Sequence, residues 1–477
     1  MRLDRRIKEI GIYGISSVLR QAVGFIMLPI YTRYLSPEDY GVIGLLSVTV
    51  FFFELFFGAR FASAVLRYYG DEELGSKDNV ISTALVSTIV LSTIGIFFII
   101  FNAEYLGGVV FREAGYSLYI KIYSTMLLAT GLEYYGLMYL RLLNKALSFF
   151  YLSISKLILQ IILNVYLIIY LEMGVMGFIL SSVISTILYA GYLCYFMAIR
   201  CGLYFDALLF KKMFLYSWPL WIAGGVSLFN SMGNRYFINI LSGLGDVGLF
   251  ELGYKFSSLI LTLFWNPFEN WWQVERYKIF RSGEFGSNYQ DVYMLLVLIL
   301  SVLCVGSVYF SWAIISIMSS DEFIGSVFVV PPLSLSVAFF CLIQFFGFNF
   351  FVKDKTWVLL LYKVATGIAL VLLYFLFVPL MGFVGAGISM AIVNLIIVVL
   401  MYEHGKRVVD LKVKLSAGFI PLMYSLTFVS MWYAVQYYYG NDFTALLIDM
   451  ALYCLFLFVI YMHYKAVVYK FVKIFII

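Results

Sequence analysis

Residues 13–40, YGISSVLRQAVGFIMLPIYTRYLSPEDY, contain the features from which the fold can be inferred. Most of it is apolar, and it exceeds the roughly 20 residues that an α-helix needs to cross a bilayer. Arg20 nevertheless lies well inside the stretch. A guanidinium at mid-membrane depth costs roughly 2.5–3.5 kcal/mol on insertion scales, so Arg20 is expected to face protein or water instead of lipid. The stretch ends in a polar turn, LSPEDYG, at residues 35–41.

The same turn, a lysine position and a glycine-containing segment all recur later in the chain. The matching pairs keep one order and nearly one spacing: Asp39-x-Gly41 with Asp246-x-Gly248, Lys156 with Lys363, and segment 173–177 with segment 381–385. Each match alone is weak, because Gly and Leu are common in membrane helices. Together they indicate an internal duplication.

The composition indicates a polytopic, all-α membrane protein. Of the 477 residues, 63% are apolar and 12% are charged, against about 45–50% and about 25% in soluble domains. The apolar runs predict about fourteen transmembrane helices, with cores at residues 8–34, 41–66, 79–101, 114–140, 148–171, 174–198, 213–240, 247–273, 291–318, 324–350, 356–379, 382–402, 415–438 and 444–464. The basic start runs straight into the first span, which we expect to be retained.

The loop charges set the expected topology. Connections after odd-numbered helices are neutral or acidic, with Arg112 as the clear exception, whereas the opposite connections are rich in Lys and Arg. The positive-inside rule therefore places both termini in the cytoplasm. Six helices separate the two copies, so the repeat is parallel. We predict two six-helix bundles, residues 1–205 and 206–410, and two appended helices in residues 411–477.

Charged residues remain inside the apolar runs after the loops are assigned. Six basic residues are candidates for substrate binding: Arg20, Arg60, Arg235, Lys255, Lys156 and Lys363. Three carboxyls are candidates for ion coupling or charge pairing: Glu54, Glu251 and Glu133. Structural ion pairs, and for the lysines snorkelling to the headgroups, are the alternatives. An excess of positive charge suits an anionic or phosphate-bearing substrate.

Aromatic residues make up 19% of the chain, and Phe264, Trp265, Trp271 and Trp272 cluster near one helix end. An interfacial belt is the simpler interpretation, and a sugar-stacking platform is the alternative. Catalysis has little support, since the only histidines are His404 and His463 and no triad, phosphate loop or metal-ligand spacing is present. We expect no cofactor, no metal, no enzymatic activity and no nucleic-acid partner.

Two stretches carry a family resemblance. LPIYTRYLSPEDYGVIGLLS (28–47) and YSWPLWIAGGVSLFNSMGNRYFINILSGLGDVGLFELGYKFSSLI (216–260) resemble the first helices of the two halves of Wzx-type O-antigen and capsule flippases. These belong to the multidrug/oligosaccharidyl-lipid/polysaccharide exporter superfamily. The resemblance implies two bundles in a V, as in MATE transporters, and an oligosaccharide on undecaprenyl diphosphate as substrate. The family often has Asp where this chain has Asn234, which weakens any carboxylate-based ion coupling there.

The sequence thus favours a flippase that moves lipid-linked oligosaccharide from the inner to the outer leaflet of a bacterial or archaeal plasma membrane by alternating access, coupled to an ion. Membrane lipids and other polysaccharide-assembly membrane proteins are the expected further partners. A cation-coupled drug exporter of the same fold is the alternative, although it predicts an acidic cavity. A membrane polysaccharide polymerase or ligase is a third possibility, but neither a long outer loop nor a histidine site supports it.

Overall fold

The computed structural model describes residues 24–58, 61–70, 76–282, 285–409, 411–440 and 443–476. The regular structure in these ranges is helical, and none of these residues lies in a β-strand. The predicted all-α fold class is therefore confirmed for the described chain. The chain divides into two compact units, Met1–Gly248 and Leu249–Ile477.

The first unit contains both short and long helices. They are α1 (Leu28–Tyr34), α2 (Pro37–Phe57), α3 (Ala62–Tyr68), α4 (Lys77–Phe101), α5 (Ala103–Val110), α6 (Ser117–Tyr123), α7 (Met126–Leu142), α8 (Ala146–Asn164), α9 (Gly174–Cys201), α10 (Ala207–Met232), α11 (Asn234–Leu241) and the start of α12 (Leu244–Leu259). A π-helical turn, Val165–Tyr170, extends α8.

The second unit begins within α12 and continues through a π-helical turn, Ile260–Trp265. Its remaining helices are α13 (Asn266–Ser282), α14 (Phe285–Met318), α15 (Val330–Phe346), α16 (Phe348–Phe351), α17 (Thr356–Val408), α18 (Leu415–Tyr439) and α19 (Phe443–Ile476). A 3₁₀ segment, Asp321–Val329, precedes α15.

Ten helical segments in the described residues are long and apolar enough to cross a membrane. Four differences reconcile this number with the prediction of about fourteen. The 53-residue α17 contains two predicted spans, separated at Gly382 by a break in helical geometry (φ 56°, ψ −141°). The fourth predicted span is divided into short helices, of which α7 is the longest with 17 residues. The seventh, which becomes α10 and α11 with a break at Gly233, is long enough but not apolar enough to be among the ten, and most of the first lies outside the described residues.

The polar turn of residues 35–41 starts α2 with a capping box. The Ser36 hydroxyl accepts a hydrogen bond from the Asp39 backbone N–H at 3.1 Å, and the Asp39 carboxylate accepts one from the Ser36 backbone N–H at 3.1 Å. These bonds satisfy backbone groups that have no partner within the helix. Pro37 at the first helical position needs no such partner. The turn residues therefore fix where α2 begins.

The two copies of this turn touch each other through their glycines, all within the first unit. A Cβ atom on Gly41 would overlap the Leu244 carbonyl oxygen and lie 3.2 Å from the Gly248 nitrogen. Reciprocally, a Cβ on Gly248 would overlap the Pro37 carbonyl oxygen and lie 3.1 Å from the Gly41 nitrogen. The starts of α2 and α12 are thus in backbone contact, and only glycine fits at the crossing.

The second pair of matched glycine segments also plays the same local role in each unit. Gly174 and Gly382 both have left-handed backbone conformations, with φ of 54° and 56°. Three residues later, Gly177 and Gly385 each pack against the backbone of the preceding helix end, at Leu167 in one case and at Phe377 in the other. Left-handed geometry is costly for residues with a Cβ, which explains why glycine recurs here. The repeated sequence corresponds to a repeated turn.

The predicted aromatic belt is wrong for two of its members. Trp265 and Trp272 are buried in the core of the second unit. Trp272 stacks on Phe345 with ring centroids 5.3 Å apart and meets Tyr289 edge to face. Trp271 is exposed. Both tryptophans pack inside the unit because burying a large ring against other rings contributes more stabilisation than an interfacial position does.

Large apolar side chains cover much of the remaining surface. On α4, for example, Phe97, Phe98 and Phe101 are exposed, and Phe101 retains 83% of its accessible surface. Exposed apolar surface of this extent is not compatible with water as the surrounding solvent. Together with the long apolar helices it makes this a multi-pass membrane protein.

Candidate functional site

The most deeply buried cation among the described candidates is Arg235, on the short helix α11. Its side chain retains 2% of its accessible surface. One guanidinium nitrogen, Nη1, donates to the Ser231 carbonyl oxygen and to the Asn234 side-chain oxygen, both at 2.8 Å. Because α10 ends at Met232, the Ser231 carbonyl is among the last four of its helix, which have no intrahelical donor. The break between α10 and α11 thus creates an acceptor for the guanidinium.

Hydrogen bonds on either side hold α11 in place. The Tyr236 hydroxyl lies 2.9 Å from the Thr49 hydroxyl of α2. The Asn239 side-chain amide donates to the Val110 carbonyl oxygen at the end of α5, at 2.8 Å. Asn239 follows Arg235 by four residues, so both buried polar side chains lie on one face of the helix. The sequence predicted Arg235 of this polar face as a candidate but did not predict Asn239.

Lys156 and Glu133, predicted as a binding residue and a charge partner, form an ion pair between α8 and α7. Both side chains are mostly buried, with 17% and 18% of their surfaces exposed. Lys156 and Lys363 occupy matching positions in the repeat but differ in environment, because Lys363 on α17 is exposed. The matched positions therefore do not imply a matched role.

We expect Lys156→Met to lower the free energy of unfolding by about 1–3 kcal/mol, between the values for exposed and buried ion pairs, since it strands the Glu133 carboxylate. The exchanged pair Lys156→Glu with Glu133→Lys is expected to recover most of the loss. Thermal unfolding of the purified protein measures both. Unchanged stability accompanied by lost transport would instead assign Lys156 to the substrate.

The remaining candidates are distributed over both units. Glu54 is buried on α2, and Glu251 and Lys255 are half-buried, one turn apart on α12. A Glu and a Lys at this spacing lie on the same helix face. Arg20 and Arg60 lie outside the described residues.

A polar pocket in the first unit was not predicted. Its volume is about 440 Å³, and the last residues of α11 form part of its lining. The lining residues are Glu38, Phe111, Arg112, Glu113, Tyr116, Asn239, Ile240, Leu241, Ser242, Gly243 and Leu244. Arg112 had stood out only as a basic residue in a connection expected to be neutral. Among the described residues, no group of three or more His, Cys, Asp or Glu side chains could hold a metal ion.

The family model described as "Polysaccharide biosynthesis protein" matches residues 7–269, more than half of the chain. The chain belongs to the polysaccharide biosynthesis protein family. The family resemblance inferred from residues 28–47 and 216–260 is thereby confirmed. No curated protein matches the sequence.

Solved structures show which fold this member of the polysaccharide biosynthesis family has. The lipid II flippase MurJ in an inward closed conformation has a TM-score of 0.73 at 15% identity, over 95% of this chain and 99% of that chain. An inward-facing multidrug resistance MATE transporter of the MOP superfamily has a TM-score of 0.67 at 16% identity, over 82% and 95%. An outward-facing multidrug resistance MATE transporter of the MOP superfamily has a TM-score of 0.56 at 15% identity, over 84% of this chain and 95% of that chain. At these identities the likeness shows the fold alone, and that fold is the one predicted.

Proposed function

We propose that this protein is a flippase that moves an oligosaccharide linked to undecaprenyl diphosphate from the inner to the outer leaflet of a bacterial or archaeal plasma membrane. The observation that carries the proposal is membership of the polysaccharide biosynthesis family combined with a MurJ-like fold over 95% of this chain. MurJ is described as a lipid II flippase, so a lipid-linked saccharide is the substrate class that suits both findings.

The buried guanidinium of Arg235 suits this substrate class. Arginine pairs with phosphate oxygens through two parallel hydrogen bonds, and a buried position strengthens each of them. In a chain of apolar helices such a residue is costly, and costly ionisable residues mark substrate paths by default. Nη1 is already engaged with Ser231 and Asn234, which fixes the orientation of the guanidinium plane.

The direct test is deletion of the gene in its own host. We expect the lipid-linked repeat unit to accumulate and the surface polysaccharide to disappear, and the full-length protein supplied from a plasmid to restore both. Accumulation shows that synthesis is intact and that transfer across the membrane has stopped. Unchanged surface polysaccharide, or loss of the lipid-linked unit itself, would contradict the proposal, and the second result would favour a polymerase or ligase.

A drug exporter is the second candidate, because MATE transporters share the fold at a TM-score of 0.67. It predicts that overexpression raises the minimum inhibitory concentration of cationic drugs while deletion leaves the surface polysaccharide intact. Running both assays on the same strains separates the two functions.

Alternating access predicts that the contact between the starts of α2 and α12 must open during transport. A Cβ on Gly245 would lie 3.7 Å from Cγ of Glu38, the atom whose place a cysteine Sγ would take, so cysteines at the two positions are near enough to form a disulfide. In a variant without native cysteines, Glu38→Cys with Gly245→Cys is expected to form a disulfide on oxidation and to lose most of its export activity. Reduction should restore export. Oxidation should not change the export activity of either single-cysteine variant. Full cross-linking with unchanged export would rule out opening at this point.

The expected topology follows the loop charges, with both termini in the cytoplasm. A reporter fused after the last residue checks it. Fluorescent protein fused there should fluoresce, and alkaline phosphatase fused there should stay inactive, since each folds on only one side of the membrane.

A further inference from the structure

A carboxyl group is buried where the last two helices pack together. Asp449 of α19 retains 1% of its accessible surface, and it faces Gln436 and Trp432 of α18, which retain 6% and 0%. The Gln436 amide nitrogen donates to Asp449 Oδ2 at 3.1 Å. The Trp432 indole N–H approaches the same carboxyl without the alignment of a hydrogen bond. None of these residues belongs to the predicted repeat.

Two oxygen atoms of this cluster are buried without a donor. Asp449 Oδ1 and the Gln436 side-chain oxygen both have no hydrogen-bond partner among the described residues. The other polar atoms of the same two groups, Asp449 Oδ2 and the Gln436 side-chain nitrogen, are already hydrogen-bonded to each other. Burying an acceptor unsatisfied costs about 1–3 kcal/mol, so two such atoms in one cluster require an explanation.

The helices packed around Asp449 carry no cation there. Residues 292–318, 415–439 and 443–462, from α14, α18 and α19, contain neither Lys nor Arg. The Tyr309 hydroxyl of α14 is committed to the Phe428 carbonyl oxygen at 2.7 Å. On α19, Tyr453 follows one turn later and His463 lies about 20 Å further along the axis, by the rise per residue. The 3₁₀ segment that contacts α18 through Phe328 has its carboxyls, Asp321 and Glu322, at its exposed start.

A proton satisfies both orphan oxygens with one bond. A protonated carboxyl has an O–H donor, which placed on Oδ1 can donate to the Gln436 oxygen while Oδ2 keeps its bond from the Gln436 nitrogen. Acid and amide then pair through two complementary hydrogen bonds. An ionised Asp449 leaves both oxygens facing a medium of low polarity, where an uncompensated carboxylate is strongly disfavoured.

We propose that Asp449, Gln436 and Trp432 form a proton-binding site within the C-terminal helix pair, with Asp449 neutral when α18 and α19 are packed as in this structure. Loss of the proton places a charge between the helices and favours their separation. The site makes the packing of α18 on α19 responsive to protons.

A metal cation fits the cluster less well. Hard cations take about six or more oxygen ligands, whereas the side chains here supply two orphan oxygens. Trp432, which lies beside the carboxyl, has only an N–H donor and therefore offers a cation no ligand atom. Sodium is the alternative ligand, and the experiments below are designed to distinguish it from a proton.

Infrared spectroscopy of the full-length protein tests the site directly, because a neutral carboxyl and a carboxylate absorb at different frequencies. We expect the difference spectrum between wild type and Asp449→Asn at pH 7 to contain the band of a protonated acid. Asp291→Asn on α14 is the matched control. Its own spectrum should retain the acid band, so the band should be missing from the difference between wild type and Asp291→Asn. A carboxylate band in the Asp449→Asn difference spectrum would overturn the proposal.

Stability against pH gives the second reading. If Asp449 keeps a proton in the native state that the unfolded chain releases above about pH 4, its contribution to stability is greatest at low pH and falls as pH rises. The unfolding equilibrium constant should rise up to tenfold per pH unit between about pH 5 and pH 7 relative to Asp449→Asn. Equal slopes would contradict a proton site, and a stabilisation by NaCl over choline chloride that Asp449→Asn abolishes would assign the site to sodium.

Should Asp449→Asn fail to fold, Gln436→Leu serves instead. It removes the acceptor of the proposed O–H donor and is expected to shift the acid band of Asp449, whereas an ionised Asp449 gives no acid band to shift. Neither measurement involves transport, so the proton site and the flippase proposal succeed or fail separately.

Discussion

Gly248→Ala is expected to lower the free energy of unfolding by about 3 kcal/mol, the upper end of the cost of forcing extra volume into a packed site. The added methyl would overlap the Pro37 carbonyl oxygen and lie 2.8 Å from its carbon. These are backbone atoms at a capped helix start, so no side-chain rotation relieves the clash. Gly41→Ala should behave alike, since its methyl would overlap the Leu244 carbonyl oxygen.

The matched control is Gly191→Ala on α9. A Cβ there meets nothing within 4 Å, and alanine is favoured over glycine in a helix by about 0.5–1 kcal/mol. Thermal unfolding should therefore move in opposite directions for Gly248→Ala and Gly191→Ala. Equal stability of the two variants would mean that α2 and α12 do not approach as closely as described.

Replacement of Arg235 is expected to have the largest effect on transport. Arg235→Gln removes the charge while keeping a donor for Ser231 and Asn234, and a hydrogen bond to a charged group contributes about 1.5–3 kcal/mol. Export should therefore fall by about ten- to a hundredfold, at tenfold per 1.4 kcal/mol. Arg235→Lys keeps the charge but not the planar fork, and should retain an intermediate rate.

Protein level and unfolding temperature decide how the Arg235 result is interpreted. A binding role leaves both near wild type while export falls, and the lysine variant recovers part of the rate. A purely structural role lowers both, and gives the lysine variant no advantage in export per molecule. Arg200→Gln, at an exposed position near the end of α9, controls for loss of one positive charge and should export normally.

The turns were predictable from sequence because their chemistry is local. Ser36, Pro37 and Asp39 specify a helix start within four residues, and the paired glycines mark positions that tolerate no Cβ. The duplication inferred from the repeated turns agrees with the similar φ angles of Gly174 and Gly382, 54° and 56°. Such local rules predict a helix start without information about which other part of the chain packs against it.

The candidate site was less predictable, because sequence position does not give the environment of a side chain. Lys156 and Lys363 match in the repeat, yet one is bound to Glu133 and the other is exposed. The aromatic cluster was assigned to an interface, whereas Trp272 is buried. Asp449 is the only acidic residue in the apolar run 443–462, but it lies outside the repeated helices, and its burial against Gln436 depends on a packing partner that the sequence does not specify.

The crossing at Gly41 and Gly248 has the form of an isologous interface. Gly41 contacts Leu244 and Gly248 contacts Pro37, so each partner offers the other the same two positions, as identical subunits do across a two-fold axis. A separate chain that carried one copy of this turn would therefore present the surface needed to contact a second copy of itself, and the two glycines are the positions where any side chain would push the helices apart.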